Sequence, residues 1–418
     1  MSKFSLLILL CYVSALRAQD SEGNFLTDQQ SGCKVWFKHT FTEDSVSWSG
    51  NCREGLAEGM GTVRGFTKGK PTAVYTGVLH NGKPEGEGEF SFGNGRKLKG
   101  FFIGGEPLFL SPGLRTRLGK NIISETDSLG LYDGDNNKQQ LYYHALVPQK
   151  TPKAVIVLLP GTWETTEHLL SSMSRFCELA MQHQIAVIVP SINQRITLTN
   201  EIVDIMNTMF KDATIKYNLP DEWAMGGWSM GGLFSLRYTE LANQDSTKTV
   251  IHPKAVFSCD GPCDLKNIYY HFKKKLNKNP GLSEPAYGIR ELEKYCNGNP
   301  QTSPIKYEYY SCYSHDKQDG GNAKYLSKTP VRIYADVDPV WWMENRNVDM
   351  YDLNALDQTA MIQYLRDQGN TKAEFINAFG KGYRLEGNRH PHSWSIVEPE
   401  ECINWIMQCM NLTYDNKN

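Results

Sequence analysis

The sequence predicts an α/β protein, with a doubly wound, mostly parallel sheet preceded by a small all-β unit. Three observations carry this reading. From Leu129 onward, short apolar runs alternate with longer amphipathic ones, the pattern of strands buried on both faces and of helices that cover them. Between Ser47 and Pro107, glycines recur at fixed spacing after aromatic residues. The stretch Met225-Gly226-Gly227-Trp228-Ser229-Met230-Gly231-Gly232 sets a Gly-x-Ser-x-Gly pattern between a strand-like run and a helix-like run.

A chain of 418 residues exceeds the usual single-domain size, so two units are expected. Hydrophobic residues at 40% and charged residues at 22% suit a protein with a sizeable buried core. A formal charge of -2 argues against a polyanion, and no nucleic-acid partner is expected; Lys273-Lys274-Lys275 reads as a solvated face. At the start, Lys3, the apolar run Phe4 to Leu16 and Leu16-Arg17-Ala18 together resemble a secretory signal, expected over residues 1–18 with cleavage near Ala18. The run is too short to span a bilayer, and an uncleaved anchor is the alternative. The mature protein is therefore expected to be secreted, in an extracellular or periplasmic setting.

Ten cysteines occur, and loss of Cys11 with the signal leaves nine. An oxidising compartment favours disulfides, and an odd number leaves one thiol over. By proximity alone, Cys33 is expected with Cys52 and Cys296 with Cys312. Cys402 and Cys409 bridge only if a helix ends between them. Cys259 and Cys263 have no second pair at zinc spacing, so neither a metal nor a cofactor is expected.

The glycine repeat begins at Trp48-Ser49-Gly50 with Gly55, Gly59 and Gly61, and returns at Tyr75-Thr76-Gly77 with Gly82, Gly86 and Gly88. Each glycine is displaced by 27 (77 minus 50), and a truncated copy follows at Leu98-Lys99-Gly100 with Gly105. Aromatics followed by spaced glycines suit short hairpins whose turns need positive φ. This region resembles a short array of MORN repeats, assigned to residues 30–110, with Trp replacing the usual Tyr in the first copy. Such arrays imply scaffolding and contact with a protein or membrane surface. The competing reading is a rigid β platform that spaces the next domain, and no basic cluster decorates it.

After a linker near Ser111 to Ser128, a hairpin is expected from Leu129 to Asp133 and Leu141 to Val147, turning at Asp135-Asn136-Asn137. Strands are expected at Ala154 to Leu159, Ile185 to Val189, Glu222 to Met225, Ala255 to Ser258, Val331 to Ala335 and Ala373 to Ala378. Helices are expected at Thr165 to Gln184, Leu198 to Tyr217, Met230 to about Ala242, Asn354 to Gln368 and Glu398 to Met410. Residues 262–329 fall between two strands and are expected to form a cap insertion. This order resembles the α/β-hydrolase fold, assigned to residues 125–412.

That resemblance implies where a catalytic site lies. Ser229 would stand on a tight strand-to-helix turn, where Gly227 and Gly231 leave room only for hydrogen. Pro330-Val331-Arg332-Ile333-Tyr334-Ala335-Asp336-Val337-Asp338-Pro339 is similar to the family's strand followed by Gly-x-x-Asp, which makes Asp338 the expected acid and Asp336 its rival. After the last strand, Asn388-Arg389-His390-Pro391-His392-Ser393-Trp394 supplies the base, His392 being preferred and His390 the alternative. The order Ser229, Asp338, His392 is the family's order. The oxyanion donors would be the backbone N–H groups of Met230 and Thr162, with Trp163 a second choice for the latter.

Five of the nine tryptophans, Trp163, Trp228, Trp341, Trp342 and Trp394, flank these motifs and read equally as a pocket wall or as packing. The function implied is a secreted serine hydrolase that cleaves carboxylic esters, small or polymeric, through an acyl-enzyme. A serine peptidase of related fold and a MORN-based binding or scaffold protein with an inactive hydrolase domain are the alternatives. In a eukaryotic host, Asn411-Leu412-Thr413 would also be a glycosylation acceptor.

Overall fold

A computed structural model describes residues 24–37, 43–92, 95, 97–125 and 140–412. The expected signal segment, the 129–133 strand with its turn, and Thr413 of the acceptor motif lie outside these residues.

The N-terminal strands are β1 (Asn24–Thr27), β2 (Lys34–Phe37), β3 (Ser45–Trp48), β4 (Asn51–Arg53), β5 (Leu56–Thr67), β6 (Lys70–His80), β7 (Lys83–Phe92), β8 (Lys97–Ile103) and β9 (Glu106–Leu108). They form one nine-stranded sheet in the order β1-β2-β5-β6-β7-β8-β9, with β3 and β4 both paired to β5. The repeat has a direct physical meaning here. Gly61 pairs with Gly77, Gly77 with Gly88 and Gly88 with Gly100, so a row of glycines crosses four strands. Aromatic rings lie on that row: a Cβ at Gly50 or Gly61 would strike Trp48, one at Gly77 or Gly88 would strike Tyr75, and one at Gly100 would strike Phe109. The third copy has Leu98 at the aromatic position, and the ring is supplied from further along the chain. Cys33 and Cys52 form the expected disulfide, with Cα atoms 5.6 Å apart.

The supposed linker is not irregular. It contains a short helix, Pro112–Arg115, and strand β10 (Leu118–Glu125), and Leu108, Leu110 and Leu114 enter a core shared with the second sheet. The backbone N–H of Phe109 also donates to Ser171 Oγ at 3.0 Å, so the two sheets are joined by packing as well as by the chain. The apolar residues of 108–118 were legible, but their spacing is too short to show a period.

The second sheet continues with β11 (Gln140–Leu146), β12 (Ala154–Leu159), β13 (Ile185–Pro190), β14 (Trp223–Trp228), β15 (Ala255–Cys259), β16 (Val331–Ala335) and β17 (Ala373–Asn377). Its order is β10-β11-β13-β12-β14-β15-β16-β17. The pairs β10–β11 and β11–β13 are antiparallel, and all later neighbours are parallel. This is the mostly parallel, doubly wound topology expected. Strands β12 to β16 are buried at every residue, which is why they read as unbroken apolar runs rather than alternating ones. The single helix expected over 165–184 is two, Thr166–Ser172 and Ser174–Gln182, divided at Met173.

Residues 262–329 fold as helices Leu265–Lys278, Ser283–Cys296 and Pro304–Tyr310 and a 3-10 turn at Gly321–Leu326. They pack on one face of the sheet through Leu265, Tyr269, Leu292, Tyr307 and Leu326. The ring of Tyr287 meets that of Trp163 at 4.9 Å, which brings the insertion to the loop after β12. The expected Cys296–Cys312 bridge is absent: both are free buried thiols, and Cys312 Sγ instead lies 3.5 Å from the carbonyl of Cys263. Cys402 and Cys409 are also free, since the helix Pro399–Cys409 runs through both.

Candidate active site

Strand β14 ends at Trp228, and the helix Met230–Gln244 begins two residues later. Ser229 joins them with φ 55° and ψ -123°, a conformation that costs a non-glycine residue about 1–3 kcal/mol and must be held by its surroundings. The surroundings do so by crowding. A Cβ at Gly227 would sit 2.2 Å from the Gly231 carbonyl, and one at Gly231 would sit 2.3 Å from the Leu159 oxygen. Both neighbours are backbone and cannot swing away. The Ser229 N–H donates to the Cys259 carbonyl at 2.9 Å, which pins the turn to the end of β15.

The same crowding brings the loop after β12 against the elbow. In that loop Trp163 has φ 60°, and its N–H is used by the Asn193 carbonyl at 2.9 Å. The N–H groups of Thr162 and Met230 have no hydrogen-bond acceptor among the described residues. Met230 also opens a helix, where the partial positive charge of the dipole lies. Of the two residues named for the second donor, Thr162 is therefore the one whose N–H is uncommitted.

Glu164 organises this loop, and no motif in the sequence points to it. Its carboxylate is almost wholly buried, and it accepts from the Gly161 N–H at 3.0 Å, from Trp394 Nε1 at 2.9 Å, and shares a 2.8 Å bond with His168 Nδ1. One carboxylate thus ties the loop after β12 to the histidine-bearing loop after β17. Trp394 is buried, and it also lines the cleft beside Arg384.

His392 Nδ1 lies 2.6 Å from Asp260 Oδ2. Because a carboxylate only accepts, the proton of that bond sits on Nδ1, leaving Nε2 as the basic nitrogen. The ring packs on Trp228, the residue before Ser229, with centroids 5.0 Å apart. Asp260 comes directly after β15 and takes φ 49°, a left-handed conformation that aspartate tolerates. Its N–H donates to the Tyr334 carbonyl at 2.8 Å, its Oδ1 accepts from Gln358 Nε2 at 3.2 Å, and its carbonyl accepts from Asn354 Nδ2 at 2.9 Å.

The expected acid is therefore corrected: the histidine meets Asp260, after β15, and not Asp338 or Asp336, after β16. Asp338 caps the helix Pro339–Arg346, accepting from the Trp341 N–H at 3.0 Å, and receives Arg389 Nη2 at 2.9 Å. Asp336 is more fully committed, accepting from the N–H groups of Gly380 and Gly382 at 3.0 and 2.8 Å and pairing with Arg389. Both aspartates hold the loop that carries the histidine, while a third holds the ring. The signal for Asp260 was present as Cys259-Asp260-Gly261 at the end of a buried strand, but one strand earlier than the resemblance directed.

His390, the alternative base, is placed differently. Its ring is flanked by Trp341 and Trp342 at 4.8 and 5.7 Å, and Arg384 Nη2 stands 3.5 Å from its Nδ1. Burial, then the charge of Arg384, hold its pKa down to about 2, so it stays neutral, and among the described residues no carboxylate orients it. No group of three or more His, Cys, Asp or Glu among the described residues is arranged to hold a metal.

No protein-family model matches the chain, and no curated protein matches it. Among solved structures it is similar to carboxyl esterase 2 of the mycorrhizal fungus Tuber melanosporum, at 16% identity over 71% of this chain and 85% of that one, with a TM-score of 0.45. It is also similar to MPT51 of Mycobacterium tuberculosis, at 12% identity over 66% of this chain and 96% of that one, with a TM-score of 0.44. A prolyl endopeptidase structure aligns at 11% identity over 91% of this chain and 54% of that one, with a TM-score of 0.45. Identities this low leave the chemistry to be read from the site itself.

Proposed function

We propose that this chain is a serine hydrolase acting on carboxylic esters, with Ser229 as nucleophile, His392 as general base and Asp260 as the carboxylate that orients it. The observation that carries the reading is the 2.6 Å contact of His392 Nδ1 with Asp260, on a ring packed beside the strained serine turn. In the proposed reaction, Nε2 of His392 takes the Ser229 proton as Oγ attacks the acyl carbonyl. The tetrahedral oxyanion forms against the N–H groups of Met230 and Thr162. Collapse expels the alcohol, protonated by His392, and water then repeats the sequence on the acyl-enzyme. Asp260 stabilises the imidazolium.

The insertion at 262–329 is read as a cap, supported by the contact of Tyr287 with Trp163. The N-terminal sheet is read as a short MORN array that serves as a platform, supported by its glycine row and the rings laid across it. Secretion is likewise part of the proposal, resting on the character of residues 1–18 and consistent with the Cys33–Cys52 disulfide.

The test is fluorophosphonate labelling, since only an activated serine reacts. Wild type is expected to label and to release p-nitrophenol from short acyl esters. Ser229→Ala is expected to lose both completely, and His392→Ala nearly so, while His390→Gln keeps labelling. A folded wild type that never labels would overturn the reading.

A further inference from the structure

We propose that Arg384 and the cleft beside it form a subsite for a carboxylate, so that the hydrolase selects esters bearing a free carboxylate near the scissile bond. The inference rests on the reading of Ser229 given above and deepens it.

Arg384 lies on the loop that carries His392, in a turn closed by two backbone bonds, Arg384 N–H to Asn388 O at 2.9 Å and Gly387 N–H to Arg384 O at 2.8 Å. Its guanidinium sits 4.8 Å over the Trp228 ring, the same indole that packs against His392 at 5.0 Å. Arg384 and the proposed base thus contact one indole, that of the residue before Ser229. Other arginines drawn into this fold have acids to meet: Arg389 pairs with Asp336 and Asp338, Arg332 with Glu374 and Glu401, and Arg237 with Glu240. Among the described residues no carboxylate lies within ion-pair distance of Arg384; its one side-chain bond is to the neutral ring of His390. Of the nearby acids, Glu164 is already committed to Gly161, His168 and Trp394, and Glu386 acts on Arg384 from beyond ion-pair distance.

A partly buried cation without a counter-charge is unfavourable, and burial lowers the Arg384 pKa accordingly. The indole N–H of Trp228 is also buried without an acceptor among the described residues. The adjoining cleft holds about 320 Å³ and is lined by Arg384, His168, Tyr383, Trp394 and Ser172, together with Ser393 and Ser395, whose hydroxyls donate to the carbonyls of His390 and Lys381. Arg384 is the one arginine or lysine that lines the cleft among the described residues, which matches a single negative charge. A carboxylate fits that balance, and its two oxygens match the guanidinium fork.

The test compares anionic with neutral esters on the full chain. Two pairs locate the charge: mono-p-nitrophenyl glutarate against p-nitrophenyl butyrate for the acyl side, and 4-acetoxybenzoate against phenyl acetate for the alcohol side. Wild type is expected to prefer the anionic member of one pair. Arg384→Gln should lower that kcat/KM ratio by about tenfold to a hundredfold, the effect of one charge-assisted hydrogen-bonded pair, and Arg384→Lys should keep part of it. A ratio that does not move in Arg384→Gln, with esters still turned over, would overturn the subsite alone. If no ester is cleaved at all, the Ser229 reading fails, and thermal melting with glutarate decides the subsite separately. Stabilisation of wild type but not of Arg384→Gln supports it; no shift, or a shift with inorganic phosphate only, overturns it.

Discussion

The ends of β15 and β16 lie side by side in the sheet, and both carry aspartates near the same histidine loop. Asp260, at the first, meets the ring of His392 itself; Asp336 and Asp338, at the second, meet Arg389 and the loop backbone. The two ends differ in the path the chain takes beyond them. After Asp260, Gly261 passes so close to Ser229 that a Cβ would lie 2.7 Å from its carbonyl oxygen, so the chain that carries Asp260 runs beside the serine turn. After Asp338 comes Pro339, which opens a helix and commits the side chain to capping it. Which of two neighbouring acids serves the histidine is thus decided by the local chain path rather than by residue type.

The contrast can be broken most sharply by exchanging each carboxylate for its amide. Asp260→Asn keeps the shape but favours the wrong imidazole tautomer, and kcat is expected to fall by about 10³–10⁴ with folding intact. Asp338→Asn should cost less than about tenfold, since the amide oxygen still accepts from the Trp341 N–H and only the bond from Arg389 is lost. Steady-state hydrolysis of a p-nitrophenyl ester measures both. Equal losses would return the acid's role to β16.

A second substitution separates holding a ring from holding a loop. Asp336→Ala removes a fully buried carboxylate that serves two N–H groups and Arg389, and should lower stability by about 3 kcal/mol in urea unfolding. Activity measured well below the melting temperature should fall far less than in Asp260→Asn. Gln358→Ala is a milder case on the other side, because it removes the donor to Asp260 Oδ1 and to the Gly261 carbonyl. Its expected cost is about 1–2 kcal/mol in stability, with a several-fold loss in kcat from a less well-oriented carboxylate.

Much of this was legible from residue order. Gly227, Ser229 and Gly231 announce the turn because only hydrogen fits beside the Gly231 and Leu159 carbonyls, a demand written in residue type. The buried strands announce themselves because parallel pairing leaves both faces dry. The glycine row of the first sheet was visible as a displacement of 27, since each glycine there answers to one ring. Asp260 was not legible, because choosing among acids depends on which strand end the histidine loop reaches, and that is set by Arg389 and Glu164 across the fold. Glu164 was hidden for the same reason: its partners Trp394 and Gly161 are brought together only when the two loops meet. The pairing of Cys296 with Cys312 failed because the fold sets Cys312 against the Cys263 carbonyl, which proximity in sequence does not reveal.

The smallest effect sharpens the comparison from beneath Asp260. Asp357 lies one residue before Gln358 on the helix Ala355–Asp367, buried against Asp264, with Asn267 Nδ2 donating to it at 2.8 Å and His315 Nδ1 at 3.7 Å. Burial, then the charge of Asp264, raise its pKa to about 7, against an ordinary value of about 3.9. Between those values the folded chain holds a proton that the unfolded chain has released. Stability from this group is therefore greatest at low pH and falls as pH rises through the interval, levelling off above about 7. Asp264 is raised also, chiefly by burial, and contributes with the same sign. In wild type the urea midpoint should drop between pH 5 and pH 7.5, by the equivalent of at most about 3 kcal/mol. Asp357→Asn should flatten most of that slope. It should leave the pH profile of ester hydrolysis in place, because the Gln358 amide that holds Asp260 does not titrate. A slope that survives the substitution would mean that the burial of Asp357 is not its source. A shifted activity profile would mean that the helix transmits the charge of Asp357 to Asp260, and the separation between the carboxylate that holds the ring and those that only support it would no longer stand.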